Sequence, residues 1–116
     1  MKRLHGVITA MVTPFDENGQ VMLEQVRNMV EFLVKRGVDC LYPCGTTGEM
    51  FLMHEEDRRK VAETVIDQNR GRLTTYIHVG AIDPDETIRL AQHACDIGAD
   101  GVGIVTPAFF GTNPDA

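Results

Sequence analysis

Five consecutive residues, Gly45-Thr46-Thr47-Gly48-Glu49, concentrate chemistry that the rest of the sequence lacks. They follow an apolar run, Val38 to Tyr42, of strand character and precede a charged, periodic run from His54 of helical character. A strand-to-helix loop with two glycines and two adjacent hydroxyls can hold a small anion. Glycine lets the backbone turn sharply and come close to a ligand. Backbone N–H groups and threonine hydroxyls can then donate to a carboxylate or phosphate. The same residues also suit a plain βα turn in which the threonines only cap backbone groups. A nucleotide-binding phosphate loop would end in Gly-Lys-Ser/Thr. Gly48-Glu49-Met50 places an acid where that lysine belongs, and Glu49 suits an anchor that accepts backbone or hydroxyl hydrogen bonds.

The other reactive side chains read more blandly. His54 stands just outside a helix start, where polar residues usually cap. His78 ends an apolar run and fits a buried, hydrogen-bonded histidine. Cys40, Cys44 and Cys95 form an odd set without CxxC spacing, which fits reduced thiols in a cytoplasmic protein better than disulfides or a zinc site. Lys2, Lys35 and Lys60 sit at the chain start, a helix end and a helix face, and no lysine follows Lys60. A nucleophilic lysine needs a pocket that depresses its pKa, and none of these positions offers one. No metal or redox cofactor is indicated.

Seven elements must position the loop. A near-continuous apolar run over 7–12 predicts a strand buried on both faces, ended by Pro14. Asp16-Glu17-Asn18-Gly19 predicts a turn. Val26, Met29, Val30, Leu33 and Val34 recur at helical spacing and predict a helix over 22–36, closed by Gly37. The methionines there read as core filler. A second strand spans 38–43, with Asp39 near its end rather than mid-sheet. A second helix spans 54–69, acidic in its first turn, with Val61, Ala62, Val65 and Ile66 inward and Gly71 closing it. A third strand spans 73–79. Asp83 as N-cap, Pro84 at the first helical position and Glu86 closing a capping box start a third helix reaching about residue 97. Its inward residues read as Ile88, Ala91, Ala94 and Cys95, the last a small core residue. Gly98 ends it, and a fourth strand spans 101–106, stopped by Pro107.

The order βαβαβαβ predicts a parallel sheet with external helices in a single domain over 1–116. Two junctions repeat a text, Gly37-Val38-Asp39 and Gly98-Ala99-Asp100. Such a sheet is either open or part of an eight-fold barrel, and both bind ligands at the C-terminal strand ends. The glycine-rich loop, His78-Val79-Gly80 and Thr106-Pro107-Ala108 should converge there.

The 116 residues are 43% hydrophobic and 24% charged, within the range of a globular domain. A net charge of −6 argues against nucleic acid. No apolar stretch approaches membrane-span length, and residues 1–13 lack a signal-peptide core.

Three segments in register carry a family likeness. Val7-Ile8-Thr9-Ala10-Met11-Val12-Thr13-Pro14-Phe15 resembles the first strand of the dihydrodipicolinate synthase/N-acetylneuraminate lyase family. Gly45-Thr46-Thr47-Gly48-Glu49 resembles its pyruvate-binding loop, and Gly98-Ala99-Asp100-Gly101 with Val105-Thr106-Pro107 resembles its fourth strand. The resemblance spans essentially the whole chain. It implies the first half of a (β/α)8 barrel and a class I aldolase that forms a Schiff base between lysine and pyruvate, with an aldehyde as co-substrate. It implies that Thr47 binds the pyruvate carboxylate through hydroxyl and amide, with Gly45 and Gly48 shaping the loop, and that Thr46 belongs to a proton relay. A carboxylate clamp fixes orientation, and a hydroxyl chain moves protons without a charged base.

Three departures accompany the likeness. The family's Schiff-base lysine, principal tyrosine and substrate-binding arginine lie beyond the fourth strand, so this chain alone is expected to be inactive. Phe109, in Thr106-Pro107-Ala108-Phe109-Phe110, stands where lysine-pathway synthases carry a relay tyrosine, and phenylalanine has no hydroxyl to relay through. Gly37-Val38-Asp39-Cys40-Leu41-Tyr42 and His78-Val79-Gly80 resemble the sialate-lyase branch, whereas Thr46-Thr47 resembles the synthases. The readings are therefore a synthase-type lyase of the lysine pathway, a sialate lyase or other pyruvate aldolase, or a non-catalytic half-barrel. Four strands with open edges favour pairing, either with the missing C-terminal half or with a second copy in a homo-oligomer.

Overall fold

The computed structural model of the 116-residue chain describes residues 3–45 and 53–104. Its elements run β1 (Ile8–Ala10), α1 (Leu23–Arg36), β2 (Cys40–Tyr42), α2 (Glu55–Asn69), β3 (Thr74–His78), α3 (Pro84–Asp96) and β4 (Gly101–Gly103). The strands form one sheet in the order β1-β2-β3-β4, every neighbouring pair parallel. The expected α/β order holds, with strands shorter than their apolar runs. Ladder pairing sets strand ends, and apolar character extends past it.

Alternation along the strands divides the sheet into two faces. Leu41 packs against Val26 and Val30 of α1 and Val61 and Val65 of α2. Ile77 packs with Ala62 of α2 and with Leu90 and Ala94 of α3. The opposite, inner face carries Ile8, Ala10, Cys40, Tyr42, Thr74, Tyr76, His78, Gly101 and Gly103, as the register requires. No described helix covers it. Cys40 is nevertheless fully buried, because His5 lies over it: the Cys40 thiol donates to the His5 carbonyl at 3.2 Å.

The repeated junction text is a repeated device. Gly37 N–H donates to Val34 O and Val38 N–H to Leu33 O; Gly98 N–H donates to Cys95 O and Ala99 N–H to Ala94 O. Each is a Schellman ending, with the glycine at positive φ. The aspartate that follows then binds the neighbouring strand. Val7 N–H donates to the Asp39 carboxylate at 2.8 Å, and Thr75 N–H to that of Asp100 at 2.9 Å. One short text thus ends a helix, turns the chain and sets the start of the next strand. Asp39 lies just before β2, as its charge requires.

Three expectations are corrected. The run over 7–12 is not buried on both faces: Val7, Ile8 and Val12 are exposed, because β1 is an edge strand with an uncovered inner face. In α3 the buried residues are Leu90 and Ala94, while Ile88 and Cys95 are exposed. The helix carries too wide an apolar arc for periodicity to choose its sheet-facing side, and Leu90, Ala94 and Ile97 take that side. Helix α2 is closed by Arg70, which takes the left-handed conformation at φ +52° and donates its N–H to Ile66 O, rather than by Gly71. His54 is an exposed histidine at the N-cap of α2, as read, and makes no side-chain capping bond; the acidic first turn, Glu55, Glu56 and Asp57, complements the dipole. The Asp83 cap and the Asp16 turn follow the reading. Asp83 accepts from Asp85 N–H at 3.0 Å with Pro84 in the first turn. Asp16 closes its turn by accepting from Asn18 and Gln20 N–H.

Candidate active site

The C-terminal ends of β2, β3 and β4 meet at one place. His78 N–H donates to Pro43 O at 3.2 Å, and Val79 N–H to Gly103 O at 2.9 Å. Gly45 lies among them: a Cβ built on it would stand 3.7 Å from the Tyr42 ring and 4.0 Å from His78 Cβ. The first residue of the glycine-threonine loop is therefore at the strand-end position where parallel α/β folds bind ligands. Thr46, Thr47, Gly48 and Glu49 lie outside the described residues, as do Thr106, Pro107, Ala108 and Phe109. Of the expected convergence, the Gly45 and His78-Val79-Gly80 parts are seen directly.

Cys44 delivers the chain into the loop with φ +67°, a left-handed conformation that costs a non-glycine residue energy. Its surroundings hold it there. It is buried, and its thiol donates to Arg58 O at 3.8 Å. Burial pushes the Cys44 thiol up to about 12, so it is neutral and unreactive where it stands.

Arg58, in the first turn of α2, is the residue that the sequence reading missed. It is only 3% exposed. Its Nη1 donates to Gly80 O at 2.7 Å, and its Nη2 donates to His78 O at 2.8 Å. Nη2 also lies 3.5 Å from His78 Nδ1. Among the described residues, its Nε has no hydrogen-bond partner. The guanidinium thus ties the helix that follows the loop to the strand end beside which the loop begins. Burial lowers its affinity for its proton below the ordinary arginine value. A signal was present: positions 58, 61, 62 and 65 share one helical stripe, and the last three are apolar.

His78 is 1% exposed. Its pKa falls to about 4, first from desolvation and then from the Arg58 charge. The ring is neutral at physiological pH. The Tyr42 ring meets it edge-on, with centroids 5.9 Å apart and planes at 76°.

Tyr42 reaches across β3 to β4. A Cβ on Gly103 would collide with the Tyr42 hydroxyl and lie 2.8 Å from two ring carbons; one on Gly101 would lie 2.5 Å from the Tyr76 ring. The glycines of β4 are thus the space into which two tyrosines on the inner face lean. Desolvation raises the Tyr42 phenol above its usual range.

No group of three or more His, Cys, Asp or Glu side chains among the described residues could hold a metal ion. Lys35 lies in the last turn of α1, and Lys60 pairs with Glu56 on the exposed side of α2 at 3.4 Å. Neither lysine is at a strand end. No helix among the described residues is long and apolar enough to cross a membrane.

Known proteins share this fold. The sequence profile of the dihydrodipicolinate synthetase family matches residues 3–115. An N-acetylneuraminate lyase of Mus musculus is 42% identical over 118 aligned positions, covering 99% of this chain and 37% of its own. A 4-hydroxy-tetrahydrodipicolinate synthase of Geobacter metallireducens is 43% identical over 104, covering 90% of this chain and 36% of its own. Among solved structures, the N-acetylneuraminate lyase of Proteus mirabilis superposes with a TM-score of 0.88 at 35% identity, over 94% of this chain and 37% of that one. YagE of Escherichia coli K12, a prophage protein of the dihydrodipicolinic acid synthase family in complex with pyruvate, superposes with a TM-score of 0.87 at 32% identity, over 93% and 36%. The chain therefore spans a little over a third of the length of the proteins it matches. Its four-stranded parallel sheet is the first half of the strand set of a (β/α)8 barrel. With matching sequence over nearly its full length and matching fold, the chain belongs to the dihydrodipicolinate synthetase family of lyases.

Proposed function

We propose that this chain supplies the 2-oxo-acid-holding half of a pyruvate-dependent aldolase site. One observation carries the reading: Gly45 opens the glycine-threonine loop where the ends of β2, β3 and β4 meet. Thr47 clamps the pyruvate carboxylate with hydroxyl and amide, Gly45 and Gly48 let the backbone approach it, and Thr46 passes protons along a hydroxyl relay. The pyruvate bound to YagE, which resembles this chain at 32% identity, supports the substrate class. The covalent step is Schiff-base formation between an amine and the pyruvate keto carbon, with loss of water and a later attack on an aldehyde. No strand-end amine serves it among the described residues. The nucleophile comes from beyond the fourth strand, and this polypeptide alone is inactive. Nearly equal identity to a sialate lyase and to a lysine-pathway synthase leaves the aldehyde open.

The inner face of β1, on which Ile8 and Ala10 are exposed, and the open edges at β1 and β4 support completion by further barrel strands. These come from the C-terminal half or from a second copy in a homo-oligomer. Three free thiols, two of them buried, support a reducing, cytoplasmic setting.

Borohydride reduction in the presence of pyruvate, followed by intact mass, tests the division of labour. The chain alone should gain no mass. Mixed with a separately expressed C-terminal segment of a family member, the segment should carry the adduct. An adduct on this chain would place the nucleophile here after all. No adduct in the mixture, with the two parts shown to associate, would count against Schiff-base chemistry.

A further inference from the structure

Arg58 touches both ends of the glycine-threonine loop and the strand end beside them. Its backbone N–H donates to His54 O at 3.0 Å, in the first turn of α2, where the chain leaves the loop. Its carbonyl accepts from the Cys44 thiol at 3.8 Å, on the chain that enters the loop. Its side chain donates to His78 O and Gly80 O past the end of β3. The His78 backbone carries the tie across: its carbonyl accepts from Arg58, and its N–H donates to Pro43 O, one residue before Cys44. The two ends also share one apolar cluster, since Cys44 and Met53 belong to it with Leu41 and Val61. Stability alone does not account for a buried guanidinium at this place, because the cost of removing it from water largely offsets its hydrogen bonds.

We propose that Arg58 is a positioning residue for the 2-oxo acid: by fixing the separation of the loop's two ends, it keeps the Gly45 end in the arrangement that receives the acid. This rests on the proposed reading of the loop as the 2-oxo acid site. Two glycines give a loop many backbone conformations, and ends held at a fixed separation reduce their number before the ligand arrives. Where only a fraction of the molecules has the competent loop, the apparent dissociation constant rises by the inverse of that fraction. Arg58 thus acts on affinity through the loop ends, without a contact to the ligand.

Pyruvate titrations read at the Gly45 amide test this on the whole chain, in wild type, Arg58→Lys and Arg58→Met, at a temperature where circular dichroism shows each protein folded. Arg58→Met should bind about fivefold more weakly or worse. Arg58→Lys, whose ammonium can serve one carbonyl, should lie between the two. A role confined to stability would leave the affinity of the folded protein unchanged. The wild-type chain supplies a second readout that no folding defect reaches. By linkage, an acid whose binding is favoured by the guanidinium contacts must favour those contacts in return, so saturating pyruvate should slow solvent exchange of the Arg58 guanidinium protons by about threefold or more. Equal affinity in folded Arg58→Met would overturn the proposal, and so would guanidinium exchange that does not change at saturating pyruvate. If the wild-type Gly45 amide does not respond to pyruvate, the loop reading itself falls, and this proposal with it.

Discussion

Replacing Arg58 by methionine keeps much of the side-chain stem and removes the charged head. The head donates to Gly80 O at 2.7 Å and to His78 O at 2.8 Å, both in buried backbone. Hydrogen bonds to a charged group contribute about 1.5–3 kcal/mol each. Set against them is the cost of keeping a guanidinium out of water, several kcal/mol in a buried site, and the depressed Arg58 pKa reflects that cost. The two terms largely offset each other while the arginine is present. They do not offset in the variant, which leaves two buried carbonyls unpaired at about 1–3 kcal/mol each. A net loss of about 2–4 kcal/mol follows, with Arg58→Lys losing about half as much because an ammonium can serve one carbonyl. At urea slopes of about 1–3 kcal/mol per molar, the unfolding midpoint of Arg58→Met should fall by about 1–2 M, read by far-UV circular dichroism. A midpoint within roughly 0.3 M of wild type, at unchanged slope, would refute the reasoning: the buried charge would then be a liability that the carbonyls merely neutralise.

Gly103→Ala should cost about 1–3 kcal/mol as an overpacked site, since the new methyl would meet the Tyr42 ring. A double-mutant cycle with Tyr42→Ala should recover most of that loss, and simple additivity would contradict it. His78 has a folded-state pKa of about 4 against an unfolded value near 6.5. Between those values the unfolded chain binds the extra proton, so this contribution is whole above pH 6.5 and lost as pH falls toward 4. Denaturation followed from pH 7 to 4 should show that loss, of order 3 kcal/mol at most, and His78→Gln should abolish it. Alkylation under native conditions should label Cys95 first, because Cys40 and Cys44 are buried and the Cys44 thiol is held neutral. Peptide mapping that found Cys44 modified before unfolding would contradict the closed loop entry.

The element order was legible because each helix ends in a local signal and each strand begins with one. Gly37 and Gly98 sit at positive φ, and Asp39 and Asp100 bind the neighbouring strand; these effects act within a few residues and leave a mark in the text. The helix facing was legible where the apolar stripe was narrow, as in α1 with Val26 and Val30 buried, and failed in α3, where Ile88 and Leu90 both qualified. The strand-end place of Gly45, where the loop begins, was legible from strand order alone. Arg58 was not recognised because a charged residue on an apolar stripe reads as an interruption, and its acceptors, the carbonyls of His78 and Gly80, lie about twenty residues away and are supplied by the fold. In the sequence Tyr42 reads only as part of a strand. Its reach into the space above Gly103 depends on the register of three strands, which the sequence does not encode locally.

The proposed role of the loop beginning at Gly45 is to hold a 2-oxo acid by its carboxylate. A pyruvate titration monitored at the Gly45 amide, in the wild-type chain and in Thr47→Val, tests that role. The wild-type chain should show a saturable shift that weakens at least tenfold in Thr47→Val, a loss of about 1.4 kcal/mol or more. A Gly45 amide that does not respond, or one that responds equally in both proteins, would contradict it.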